Sequence, residues 1–402
     1  MTDVLDILLT QRFLPEFGGS IHYMHEVYRR WPGQVEVITH DYYNAPPHTA
    51  EFTEPPVRPA SGDHVTAAHR RMDRRDIFMH DWGVESPARW LRYLRMTRAV
   101  RQRLKRARRV RVHCVHAVPE AVSLIPLRKL FGRRMRIISY CHGEEVTACE
   151  SSRQLRFLMR RAHRVIDLMI ANSRYTADLV GAHIDPAKVH IVHPGVEIAR
   201  YEDAAAAGAR WRAEQGLEGR PIVATLGRLD PRKNHAAVLD AVAALSDQLP
   251  ALVYLIAGEG RQLPALKARA EQLGIASRVR FLGAVDESTK LAMLGACDVF
   301  AMPAVRDGTD VEGFGIVFTE AAACGRPAIA GNVGGQAEAV IDGETGLVVD
   351  GADQAKVTDA LRRLLTDNAL RDRLGQAGRV KARSLDWAAI ARQVVDLVDA
   401  LG

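Results

Sequence analysis

Short apolar runs alternate along this chain with longer amphipathic stretches, and the alternation occurs in two series. Val4-Leu-Asp-Ile-Leu-Leu-Thr10 has the length and content of a buried strand. It is followed by the glycine turn Pro15-Glu-Phe-Gly-Gly-Ser20, a helical pattern to about Trp31 and a second strand from Val35 to Thr39. Residues 44–88 are rich in proline, histidine and charge and read as an irregular excursion. A long basic helix is predicted over 88–108, strands over 110–116 and 135–140, a helix over 152–164, and strands from Val165 to Ala171 and from Val189 to Val192. The second series has strands from Ile222 to Leu226, Leu252 to Ala257, Val279 to Leu282, Val299 to Met302, Ala328 to Ala330 and Gly346 to Val349, with helical patterns between them. Strand and helix in repeated alternation imply parallel sheets covered on both faces. The fold class is therefore α/β, with two Rossmann-like, doubly wound domains that bind ligand at the carboxyl ends of their strands.

His193-Pro-Gly-Val-Glu-Ile-Ala-Arg-Tyr201 reads as the connection between the two series. The expected domains are 1–195, 196–385 and a terminal segment 386–402. The amphipathic run in that segment, from Trp387 to Leu401, is long enough to cross back onto the first domain.

Composition narrows the class. A chain of 402 residues with 47% hydrophobic content has the size of two or three domains, and no uncharged apolar run reaches the length of a membrane span. Asp3 and Asp6 stand where a signal peptide carries basic residues, so a cytoplasmic location is expected. The five cysteines are scattered without a Cys-x-x-Cys pair, which points to reduced thiols and away from zinc. The net charge of +7 is uneven: residues 1–200 hold 32 Lys+Arg against 21 Asp+Glu, and the remainder holds 23 against 27.

Candidate chemistry concentrates in the second series. Glu312-Gly-Phe-Gly-Ile-Val-Phe-Thr-Glu320 sets two carboxylates on either side of a glycine turn and a helix start. Glycines let backbone approach a ligand, and a helix N-terminus attracts anions, so the N–H groups from Phe314 to Phe318 suit a phosphate. Glu320 lies about one turn into that helix, where a carboxylate accepts from the paired hydroxyls of a ribose. A buried loop-to-helix junction with two exposed glutamates gives the same pattern. After the strand from Ile222 to Leu226 come Arg228 and Lys233, five residues apart on a strand-to-helix turn. A planar fork and a point charge there converge on one diphosphate, or are a solvated charged turn.

Taken together, these segments resemble the retaining GT-B glycosyltransferases of family 4, which include the phosphatidylinositol mannosyltransferases. The resemblance spans nearly the whole chain. It is carried by Phe17-Gly18-Gly19, Tyr140-Cys-His142-Gly-Glu-Glu145, Ala171-Asn-Ser173, His193-Pro-Gly-Val196, Gly227-Arg228 with Lys233, Ala257-Gly-Glu-Gly260 and Glu312-x7-Glu320. Two positions depart from the family pattern: His193 replaces a common proline, and Gly195 follows Pro194 directly. Neither is among the reacting groups.

The resemblance implies a role for each site residue. Arg228 and Lys233 hold the donor's diphosphate and stabilise its growing charge, aided by the backbone of Phe314, Gly315, Ile316 and Val317. Glu320 takes the ribose and Glu312 the transferred sugar, while His142 contacts a sugar hydroxyl beside the reacting carbon. Gly18 and Gly19 lie over the phosphates and the acceptor. A retaining glycosidase sets two carboxylates about 5–5.5 Å apart, one of them the nucleophile. In this family the carboxylate binds hydroxyls instead, and the implied mechanism is front-face substitution, with His142, Arg228, Lys233 and Glu312 as the catalytic set. No Asp-x-Asp pair occurs, so no metal or other cofactor is expected. The donor is a nucleotide sugar, GDP-mannose first, with UDP-glucose and UDP-N-acetylglucosamine behind it; the acceptor is lipid-linked or a glycan. Nucleotide-sugar 2-epimerases lack the Glu-x7-Glu pattern, and a non-catalytic binding protein would be expected to have lost one of the five site side chains.

Between Arg89 and Arg111 there are ten arginines and one lysine, interleaved with Trp90, Leu91, Tyr93, Leu94 and Met96. Residues 89–111 suit an anionic membrane surface, or a solvated helix in an arginine-rich proteome. Nucleic acid is not an expected partner, because no reading motif accompanies the charge.

Overall fold

The computed structural model describes residues 4–10, 18–41, 65–71, 87–150 and 153–402. The chain forms two compact units, one of residues Met1–His193 with Trp387–Gly402, the other of Pro194–Asp386. The first contains β1 (Val4–Thr10), α1 (Gly19–Tyr28), β2 (Val35–Asp41), β3 (Val65–Arg71), α2 (Pro87–Leu104), β4 (Arg109–Cys114), α3 (Ile125–Phe131), β5 (Met135–Cys141), α4 (Glu144–Glu150), α5 (Arg153–Val165), β6 (Leu168–Ala171), α6 (Arg174–Gly181) and β7 (Val189–Ile191). The second contains α7 (Ala204–Glu214), β8 (Ile222–Leu226), α8 (His235–Ala244), β9 (Val253–Ala257), α9 (Leu263–Gln272), β10 (Val279–Gly283), α10 (Glu287–Ala296), β11 (Val299–Met302), α11 (Ile316–Ala323), β12 (Ala328–Gly331), α12 (Gln336–Ala339), β13 (Gly346–Val349), α13 (Gln354–Thr366) and α14 (Asn368–Arg383). The last helix, α15 (Trp387–Asp399), belongs to the first unit, where it packs on α1. Among the described residues, no helix is long and apolar enough to cross a membrane.

Both sheets are parallel. The first runs β3-β2-β1-β4-β5-β6-β7 and the second β10-β9-β8-β11-β12-β13. In each, strand order reverses beside the first strand of the unit, between β1 and β4 and between β8 and β11. Helices diverge at such a point and open a crevice at the carboxyl ends of the strands, where α/β folds bind ligands. Because both faces are covered, the strands are apolar nearly throughout, and β8, β9 and β11 are buried along almost their full length.

One expectation is corrected. The stretch 44–88 is not irregular throughout, because Val65–Arg71 pairs with β2 in parallel over seven residues. Val-Thr-Ala-Ala-His-Arg-Arg is too weakly apolar to signal a strand on its own. It is an edge strand, whose pairing comes from its neighbour's backbone. The rest of that stretch lies outside the described residues up to Pro87, as does the Phe17 of the first glycine turn.

In the first unit, Ile7 and Leu9 face one side with Val110, Val112 and Ile137, under α2, α3 and α5. The alternate residue Asp6 faces the other side and is 5% exposed. It accepts from Arg111 at 2.6 and 2.7 Å, from His113 at 3.0 Å and from the Trp31 indole at 3.2 Å. Burial alone would raise its carboxyl, but His113 and Arg111 outweigh burial and hold it well below the usual range.

Candidate active site

In the second unit the loops after β8, β9 and β10 are laced together at their strand ends. Gly227 N–H donates to Ala257 O at 3.0 Å, Gly258 N–H to Gly283 O at 2.7 Å, and Leu229 N–H to Glu259 O at 2.9 Å. This lacing sets the turn Pro231–Lys233 beside the long loop after β11, where Val305 N–H donates to Arg232 O at 2.9 Å. The two loops that flank the strand-order reversal therefore touch, and their charged side chains meet.

Glu312 accepts from Lys233 and from Arg232, both on Oε2. No described group donates to Oε1. Arg232 also pairs with Asp310, Nε to Oδ1 at 2.9 Å. Burial works to raise the Glu312 carboxyl, but Lys233 and Arg232 outweigh burial and hold it at about 2. Lys233 is pushed down by burial and pulled up by Glu312, with a net lowering, whereas Arg232 is raised by Glu312 and Asp310 against burial. Lys233 and Glu312 are thus brought together. Arg228 is not part of that contact: its side chain is 57% exposed and pairs with Asp230 at 3.2 Å. Sequence reasoning missed Arg232 and Asp310, and the only available signal was the extra basic residue directly before Lys233.

Gly315 is the N-cap of α11 at φ 92, and a Cβ there would meet the Phe318 ring at 2.6 Å. Only glycine fits that conformation and that space. Phe314 is buried, and the Gly315, Ile316 and Val317 N–H groups donate to no described acceptor, as expected of a helix start without a side-chain cap. The Glu312 backbone is fixed from the loop after β12: Gly335 N–H donates to Glu312 O at 3.0 Å. Gly334, at φ 75, brings its Cα against that same carbonyl, which a Cβ would meet at 2.2 Å. Gln336 completes the support, accepting from Gly331 N–H at 2.8 Å and Ala304 N–H at 3.2 Å and donating to Val333 O at 2.8 Å. Glu320, on the inner side of α11, accepts from Tyr201 Oη at 3.0 Å and Lys290 Nζ at 2.7 Å. Burial disfavours the Lys290 charge, but Glu320 and Glu287 outweigh burial and raise its pKa.

The first unit gathers a separate group at the carboxyl ends of β4, β5 and β6. His142 follows β5, with its ring edge-on to Tyr23 at 5.8 Å and to His116, beyond β4, at 6.2 Å. Asn172, at the end of β6, donates to His142 O at 3.2 Å, and the His142 N–H donates to Glu145 Oε1 at 2.5 Å. Its buried Nε2 has no partner among the described residues. Burial holds the imidazole down at about 4, with Glu145 pulling the other way, so it is neutral at physiological pH. Gly18 and Gly19 sit exposed at the start of α1. Among the described residues, no cluster of three His, Cys, Asp or Glu side chains is placed to hold a metal ion.

Comparison with known proteins gives this geometry its context. Residues 17–200 match the family model "Glycosyltransferase Family 4", and residues 209–381 match "Glycosyl transferases group 1". The chain is 38% identical over 266 residues to the GDP-mannose-dependent alpha-(1-6)-phosphatidylinositol monomannoside mannosyltransferase of Mycolicibacterium smegmatis, covering 65% of this chain and 69% of that protein. It belongs to this glycosyltransferase family. The Mycobacterium tuberculosis protein of the same name is 35% identical over 286 residues, covering 70% of this chain and 74% of that glycosyltransferase. The fold is GT-B: the crystal structure of Anabaena HepE in complex with UDP superimposes with a TM-score of 0.78 at 17% identity, over 98% of this glycosyltransferase and 100% of HepE.

Proposed function

We propose that this glycosyltransferase is a retaining, metal-independent hexosyltransferase that moves mannose from GDP-mannose to a hydroxyl of a lipid-linked acceptor. The observation that carries the donor reading is the arrangement around Glu312. One carboxylate oxygen is held by two cations and the other accepts from no described group, beside helix amides that have no acceptor among the described residues. A sugar hydroxyl donates to that oxygen, while Lys233, Arg228 and the Gly315 to Val317 amides take the diphosphate oxygens. Glu320 takes the ribose, held in orientation by Tyr201 and Lys290. In the first unit, the family resemblance implies that His142, whose Nε2 has no partner among the described residues, contacts a sugar hydroxyl, and that Gly18 and Gly19 approach phosphate.

In the reaction, the bond from the anomeric carbon to the diphosphate oxygen breaks first. The acceptor oxygen then bonds to that carbon from the same face, and its proton passes to a leaving-phosphate oxygen. The cations and amides stabilise the charge that grows on the diphosphate, the task a metal performs in other transferases. In this reading Glu312 accepts from a hydroxyl of the transferred sugar and is not a nucleophile under the anomeric carbon.

The names of the mycobacterial relatives favour guanosine, mannose and a phosphatidylinositol mannoside acceptor; UDP-glucose and UDP-N-acetylglucosamine are the runners-up. An anionic bilayer fits the cationic side of the first unit. Leu94, Arg98 and Arg101 on α2 are exposed, and so are Leu130 on α3 and Phe157 with Arg156 and Arg160 on α5. A cytoplasmic enzyme working at the inner face of the membrane follows from that reading.

The test is a thermal-shift screen of GDP, UDP, ADP and their sugars, followed by an assay of nucleotide release. GDP at about 100 times its Kd should stabilise the protein by about 2.7 kcal/mol. Release must depend on acceptor and survive EDTA. A strict requirement for Mg²⁺ or Mn²⁺ would remove the metal-independent mechanism, and binding without turnover would make the protein a scaffold. Flotation with liposomes should require anionic lipid; indifference to lipid charge would remove the membrane contact.

A further inference from the structure

We propose that Arg232 is a positioning residue for sugar transfer, keeping the Glu312 carboxylate in place when Lys233 turns from it to the donor's diphosphate. The inference rests on the roles given above to Glu312 and Lys233. Both cations meet on the same oxygen, Glu312 Oε2, but they are anchored differently.

Arg232 is 6% exposed and tied at several points. Its Nη1 hydrogen-bonds Glu312, its Nε lies 2.9 Å from Asp310 Oδ1 in an ion pair that is not aligned as a hydrogen bond, and its backbone carbonyl accepts from Val305. Asp310 is itself held, exchanging both backbone hydrogen bonds with Asp307 at 2.9 and 3.0 Å. A guanidinium is a rigid planar fork, so a hydrogen bond at one nitrogen and an ion pair at another restrict how the group can turn. Lys233 has three ammonium protons and one acceptor among the described residues, Glu312 Oε2. Its flexible stem and its uncommitted protons make it the cation that reorients when phosphate arrives.

When it does, Glu312 loses one of two partners in a buried setting. With Arg232 in place the carboxylate keeps a charged partner and its orientation, and Oε1 stays available to accept from the sugar. Without Arg232, the carboxyl is left buried with no cation at the moment the donor is bound. It then takes up a proton or swings away, and a protonated carboxyl is a poorer acceptor for the sugar hydroxyl. Arg232 touches neither sugar nor phosphate in this scheme, and its effect passes entirely through Glu312.

The test uses the full chain with nucleotide sugar and acceptor, comparing wild type with Arg232→Gln, Arg232→Lys and Asp310→Asn. Arg232→Gln is expected to lower kcat by ~100-fold, the size of a misplaced contact at the reacting centre. Its affinity for the free nucleoside diphosphate should stay close to wild type, and the acid limb of kcat/KM should move to higher pH. Arg232→Lys should recover part of kcat and return the acid limb, since it restores the charge without the fork. Asp310→Asn should lower kcat with the acid limb unmoved, because the charge remains while its anchor is weakened. If Arg232→Gln fails to fold, the other two variants carry the comparison.

Wild-type kcat and pH dependence in Arg232→Gln would overturn the proposal. So would a loss of nucleoside diphosphate affinity matching the loss of kcat, which would make Arg232 a phosphate ligand or a purely structural residue. Wild-type protein that binds no nucleotide sugar would overturn the functional reading, and this proposal with it.

Discussion

Replacing Glu312 by glutamine removes one negative charge from a buried cluster that contains two cations. The Glu312, Lys233 and Arg232 side chains are 12%, 10% and 7% exposed, so solvent screens them little. Breaking a buried ion pair by removing one partner costs about 3–5 kcal/mol. A second route gives a similar size. Burial opposes the charged form, yet Lys233 and Arg232 hold the carboxyl at about 2 against an ordinary 4.5. At about 1.4 kcal/mol for each tenfold change in the proton equilibrium, that difference is worth about 3 kcal/mol at neutral pH. The lower figure is preferred, because Arg232 retains Asp310 and Lys233 can shed its proton once Glu312 is neutral. The folded carboxyl is more acidic than the unfolded one, so its contribution is complete above about pH 4.5 and is lost as pH falls towards about 2. For a unit of this size, about 3 kcal/mol corresponds to a fall in Tm of roughly 6–12 °C. Melting curves of wild type and Glu312→Gln from pH 7 to pH 3 would show that gap at neutral pH and its narrowing below about pH 4.5. The other carboxylates are common to both proteins and cancel in the difference. A gap smaller than about 2 °C at pH 7, or one that does not narrow in acid, would refute the charge-cluster reasoning.

Other expectations follow from the same structure. Asp6→Asn leaves Arg111 with a weakened partner in the first unit and should cost about 3 kcal/mol in urea unfolding at pH 7. Burial raises the Asp6 carboxyl, but His113 and Arg111 depress it further, so the difference should shrink in acid as the wild-type carboxylate is protonated. Gly315→Ala forces a side chain into left-handed backbone and against Phe318. It should weaken nucleoside diphosphate binding by ~10-fold or more in calorimetry, as strain of about 1–3 kcal/mol implies; unchanged affinity would show that the α11 amides are not the phosphate site. His142→Ala should lower kcat by ~100-fold, the size of a lost positioning contact. Because the imidazole is already neutral above about pH 4, kcat/KM of the wild type should show no histidine inflection between pH 5 and 8. An inflection there that disappears in His142→Ala would refute that placement.

Much of the architecture was legible because parallel sheets covered on both faces impose continuous apolar strands. Ile222–Leu226, Val253–Ala257 and Val299–Met302 announce themselves without any partner in view. Gly315 was legible for a related reason: a backbone that must adopt φ 92 leaves glycine as its record in the sequence. Val65–Arg71 was not, because an edge strand draws its order from a neighbour's hydrogen bonds and carries little apolar signal of its own.

The site divides along the same line. Residue type and local order showed a basic strand-to-helix turn and a glycine-led helix start between two carboxylates, and the family resemblance implied what they bind. Tertiary structure alone decided which charges meet. Arg228 and Lys233 look equivalent in sequence, yet one is exposed and the other buried against Glu312. Arg232 and Asp310 carry no motif, and they matter because the β8 and β11 loops adjoin where the strand order reverses. Spacing along a chain records the backbone conformations a residue must allow, and so the local elements were open to reading. A charge's partner lies 79 or 80 residues away in this cluster, and only the packed sheet brings the two loops together.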